Sequence, residues 1–144
     1  MDHSDQLAEV CRGQGPAMVF CLAFLRWVHW LDDAADQDVS WTVEETLRLN
    51  LEAMACFSHN EFFQQHREVL LALVTQAALA WADSNDFAQR ADPRDQIAAQ
   101  VLKSAYHTVF WQAAEICGGP EHAEAMTQKF RIFNYDLPAT CPAG

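Results

Sequence analysis

Four aspartates, Asp32, Asp33, Asp36 and Asp38, fall within seven positions at the end of the apolar run FLRWVHWL. If that run is helical, Asp32, Asp33 and Asp36 lie within one turn. With Arg26 and His29 below them they cover about 120° of the helix wheel. Three carboxylates this close repel one another, and a helix C-terminus already presents partial negative charge. A hard divalent cation with oxygen ligands offsets that repulsion better than Arg26 and His29 alone. The spacing therefore predicts Mg²⁺ held by Asp32, Asp33 and Asp36 for a phosphorylated or diphosphate ligand. Arg26 would contact the phosphate and His29 would carry a proton. A second acidic region, Asp83, Asp86, Asp92 and Asp95, surrounds the stretch DSNDFAQRAD, and Asp83 or Asp86 is expected to complete the cation shell from a facing helix, with Asp86 taken as the ligand. The competing reading is a solvated acidic helix end with no ligand.

The motif VHWLDDAADQD resembles the first aspartate-rich motif of the class I isoprenoid synthases, in which a DDxxD on an apolar helix holds Mg²⁺ against a diphosphate. The resemblance spans about a dozen residues and implies Asp32, Asp33 and Asp36 as metal ligands. The nearest counterpart of the family's second metal motif is NDFAQRADP. It keeps Asn85 and Asp86 but has Gln89 and Pro93 where a hydroxyl residue and a glutamate stand in terpene cyclases. The chain is about half the family's usual length.

Three histidines, His29, His66 and His107, fall on three different predicted helices, a grouping similar to the metal sites of small DinB-like four-helix proteins. Glu121 and Glu124 form an ExxE, without the partner ExxD of all-α nucleotide pyrophosphohydrolases. No ExxH, HD dipeptide, P-loop, GxGxxG or GxSxG occurs, which removes the motifs of di-iron bundles, common phosphohydrolases, nucleotide-binding loops and serine hydrolases. The five cysteines include no CxxC, so reduced thiols in a cytoplasmic compartment are expected, two or three of them as small core residues.

The elements that would position these groups are helices throughout. Pro16 opens the first long one, running to about Asp36. Thr42 and Glu45 form a capping box for a second ending near Phe57, and Ser58 with Glu61 suggests another for a third reaching about Asp83. Asp92 and Pro93 start a fourth that stops at Gly118 and Gly119. Short helices at about 4–13 and 121–133 flank these, and residues 137–144 read as a frayed tail. Leu47, Leu51 and Met54, then Leu70, Val74, Ala77 and Trp81, then Ile97, Val101, Ala105, Val109 and Ile116 supply the apolar stripes. On the first long helix Phe20, Ala23, Phe24, Trp27, Leu31 and Ala34 form the core face. The expected fold is a single-domain, all-α bundle of four long helices plus short terminal ones.

At 144 residues with 51% hydrophobic content the chain can bury a core without disulfides. A net charge of −11 and no basic run argue against phosphate-backbone contacts as the main source of affinity and against adhesion to anionic membranes. PAMVFCLAFLRWVHWL is short for a span and interrupted by Arg26 and His29. Five Trp and nine Phe exceed what a small bundle easily hides. With Trp30 and Trp111 at the edges of their faces, a non-enzymatic homodimer through aromatic surfaces is the alternative function.

Overall fold

The computed structural model describes residues 3–36 and 40–131, and every regular element in it is helical. The chain runs α1 (His3–Val10), α2 (Gly15–Asp36), α3 (Val43–His59), α4 (Glu61–Gln65), α5 (Arg67–Ala88), α6 (Pro93–Lys103), a 3₁₀ turn (Ser104–Tyr106), α7 (His107–Gly118) and α8 (Pro120–Arg131). The all-α class follows from the sequence; the count of four long helices is looser. Two of the expected long rods are broken. The third splits at His66, whose backbone leaves helical geometry (φ −121°, ψ 27°), and the fourth tightens into the 3₁₀ turn before α7. The tail at 137–144 lies outside the described residues.

Helix boundaries follow their caps. Thr42 and Glu45 exchange both bonds of the capping box: Thr42 Oγ1 accepts from Glu45 N at 3.1 Å, and Thr42 N donates to Glu45 Oε2 at 3.0 Å. Asp92 caps α6 and Pro93 opens it. The expected cap at Ser58 is corrected: Ser58 lies in the last turn of α3, and Asn60 caps α4 by accepting from Phe63 N at 2.8 Å. The helix expected to end at about Asp83 continues through Ala88, so Asp83 and Asp86 both sit on α5.

α2 is the central element, packed against α1, α3, α4 and α7. Its first ten residues carry no charge, and it buries Ala17, Phe20, Cys21, Ala23, Phe24, Leu25 and Val28. The core is aromatic. Phe20 stacks on Phe63 at 5.6 Å and on Phe24 at 6.3 Å, and Phe24 meets Phe110 edge-on at 5.7 Å. Each such pair adds roughly 0.5–1.5 kcal/mol beyond its buried area. The expected core face of α2 is partly corrected: Trp27 and Leu31 are only half-buried and Ala34 is exposed, while Leu25 and Val28, outside that face, are buried. Neighbours on several sides widen the buried arc.

One expected core stripe is overturned, and another holds only in its second half, where Val109 is buried and Ile116 packs against the core. Leu47, Leu51 and Met54 on α3 point outward, as do Ile97 and Val101 on α6; Leu49 and Cys56, and Ala99, are the residues those helices bury. The α5 stripe holds, with Leu70, Val74 and Ala77 buried and Trp81 half-buried. Among the described residues no helix is long and apolar enough to cross a membrane.

Candidate functional site

Asp32 and Asp33 are neighbours in sequence but point into different clefts. A step of one residue turns the helix by about 100°. Asp32 faces α5 and the start of the 3₁₀ turn. Its Oδ1 accepts the indole N–H of Trp81 at 3.0 Å and lies 3.9 Å from Lys103 Nζ. The surrounding space, bounded by Trp27, Val28, Leu31, Ala77 and Tyr106 among others, amounts to about 10 Å³. One water needs about that much, so this is a packed joint and not a ligand site.

Asp33 faces α3. Its Oδ2 accepts the indole N–H of Trp41 at 3.3 Å. Here α2 and α3 run antiparallel and leave an open groove of about 500 Å³. One wall is Arg26, His29 and Asp33; the other is Trp41, Glu45, Arg48, Leu49 and Glu52. Arg26 Nη1 donates to Glu52 Oε1 at 2.7 Å across the groove, while Arg48 turns to Glu44 at 3.0 Å along its own helix. Both pairs are solvent-accessible, so each guanidinium can be redirected at little cost. The groove thus combines two guanidinium groups and an imidazole with three carboxylates and an indole donor.

The structure therefore brings together Arg26, His29 and Asp33 and separates Asp32 from them. The backbone of Asp36 closes α2, but its side chain lies outside the described residues. Asp86 is exposed on α5, five residues beyond Trp81 and on a different face from the indole that meets Asp32. Among the described residues no group of three or more His, Cys, Asp or Glu is arranged to hold a metal ion, and that includes His29, His66 and His107. His66 packs on Phe62 at 5.3 Å and His107 on Tyr106 at 4.4 Å. Trp81 and Lys103 both meet Asp32 at Oδ1, outside the groove that Asp33 lines. The Trp41 bond likewise takes one oxygen of Asp33.

Sequence reasoning missed the α3 wall. Its signal was present: Glu45, Arg48 and Glu52 recur at steps of three and four, which places them on one helical face, and Trp41 stands just before the capping Thr42. It also missed a thiol cluster. Cys11 Sγ lies 3.8 Å from Cys21 Sγ, and Cys117 reaches Cys11 from α7. The Cys117 contact favours the Cys11 thiolate, but the Cys21 contact and burial outweigh it and raise the Cys11 thiol. Its bond to Cys11, then burial, raises Cys117. Neutral thiols at such positions behave as small packing residues. Cys11, Cys21, Cys56 and Cys117 are all free.

No family model, curated protein or solved structure matches the chain. The likeness to isoprenoid synthases thus rests on the DDxxD motif alone.

Proposed function

We propose that the protein binds a small phosphorylated ligand in the α2–α3 groove. Arg26, Arg48 and His29 would take the phosphate oxygens, and Asp33 would offer an oxygen to the accompanying Mg²⁺. Asp36, one turn on, and Glu45 on the facing helix are the nearest further carboxylates by sequence register. The observation that carries this reading is the groove itself: three of the residues singled out by spacing share one wall, and a mixed-charge wall of α3 faces them. The planar guanidinium of arginine suits two oxygens of a phosphate through paired N–H donors. His29 would be the proton carrier if the bound ligand reacts, because an imidazole changes charge near neutral pH.

Thermal melting in rising Mg²⁺ or Mn²⁺, with and without inorganic pyrophosphate, tests the reading. A ligand that binds the folded state raises the melting temperature with its concentration. Wild type should show that rise, and Asp33→Asn should lose it. Asp32→Asn should melt lower yet keep the dependence, because Asp32 serves the joint with α5. No shift in wild type ends the proposal. A shift that survives Asp33→Asn but vanishes in Asp32→Asn moves the site out of the groove.

A further inference from the structure

α3 carries apolar side chains on two opposite faces. Leu49 and Cys56 enter the core, while Val43, Leu47, Leu51 and Met54 are 87%, 57%, 55% and 64% exposed. On the helix wheel these four fall within about 80° of one another, directly away from Leu49 and Cys56. Scattered exposed leucines need no explanation, but four large side chains in line along three turns do.

We infer that this outward face of α3 pairs with the same face of a second copy, the two helices running antiparallel. The stripe reads nearly the same from either end: Val43 stands four residues before Leu47, and Met54 three after Leu51. Turning one copy end over end sets Val43 against the partner's Met54 and Leu47 against the partner's Leu51. That self-complementarity is what a two-fold interface requires.

Charge selects the same occupant. On one border of the stripe Glu44 and Arg48 neutralise each other at 3.0 Å, and on the other stands uncharged Asn50. Despite the chain's net −11, the contact strip buries no charge and presents no net field to attract a strongly basic or acidic partner. Antiparallel pairing also opposes the two helix dipoles. The area sets the strength. From Val43 to Met54 a helix face covers on the order of 200 Å² in projection. That is well below the roughly 800 Å² per partner of a standard stable interface, so the dimer is weak and concentration-dependent. Of the groove residues, Glu45 and Glu52 lie off this strip and Arg48 stands at its border, where its pair with Glu44 holds while the groove is empty.

Sedimentation from micromolar to millimolar protein tests it. Wild type should rise in mass toward two copies with concentration. Leu51→Glu should raise the dimer Kd at least about tenfold with helicity and melting unchanged, since the side chain it replaces is exposed. Leu47→Glu mixed with Leu51→Lys should re-form a dimer, because those positions face each other. Leu47→Glu mixed with Leu47→Lys should do so less well. Should either charged variant fail to fold, Leu47→Ala and Leu51→Ala give the same readout. A wild type that stays monomeric at millimolar concentration overturns the inference and leaves the stripe to a different chain. Dimerisation that survives Leu51→Glu, or a Leu47 pair that associates as well as the crossed pair, overturns it too.

Discussion

Asp32 and Asp33 differ by one position and by everything that surrounds them. Their angle on the helix was legible in the sequence; which sides of α2 have neighbours was not, because that depends on where α3 and α5 pack. An aspartate cluster therefore resolves into one oxygen pinned by Trp81 and Lys103 and one lining an open groove. Cys56 shows the same dependence on surroundings. Burial, then the negative charge of Glu52, pushes its thiol up from 9.0 to about 11. The unfolded chain loses this proton near the ordinary thiol value while the folded protein keeps it. The stabilising effect is thus full below about pH 9 and is lost as pH rises through about 11. In urea unfolding, the stability gap between wild type and Cys56→Ala should narrow from about pH 8 to about pH 10.5. A gap that stays constant would mean the thiol titrates alike in both states.

At the scale of elements, caps were the most readable feature and also the source of a clear error. Two S/T-x-x-E patterns occur, at Thr42 and at Ser58, and only the first is a capping box. The second fails because α3 continues to His59. There Gln64 Nε2 donates to the Phe57 carbonyl at 2.6 Å, and Asn60 takes the cap. Asn60 Nδ2 also donates to Pro16 O at 3.0 Å, tying the α3–α4 junction to the start of α2. A long-range bond of that kind has no signature in local spacing. Thr42→Ala should cost about 1 kcal/mol. Asn60→Ala should cost at least as much, since it loses a cap and a tie. Ser58→Ala should stay within about 0.5 kcal/mol. Urea midpoints rank the three, and a Ser58 variant as damaging as the Asn60 one would contradict the assigned cap.

For the molecule as a whole, the all-α class was legible because periodicity and caps are local, whereas the burial of each stripe was not. Leu70, Val74 and Ala77 on α5 and Ile97 and Val101 on α6 have the same helical spacing. The first three are buried and the last two are exposed, because α5 is covered by α4, α6 and α7, whereas α6 packs mainly along α5 and the adjoining 3₁₀ turn. The continuous core draws its residues from α1–α5, the 3₁₀ turn, α7 and α8, and takes none from α6. Local opening costs least where few apolar groups must leave the core. Amide hydrogens of α6 should therefore exchange faster than those of α2 and α7, by a margin that persists in mild denaturant. Ile97→Gln with Val101→Gln, which removes no buried contact, should shift global stability by less than about 0.5 kcal/mol. Protection of α6 equal to that of α2, or a loss well above 1 kcal/mol in the double variant, would mean that this face is covered in solution. The outward stripe of α3 would then not be the only surface to which a second chain belongs.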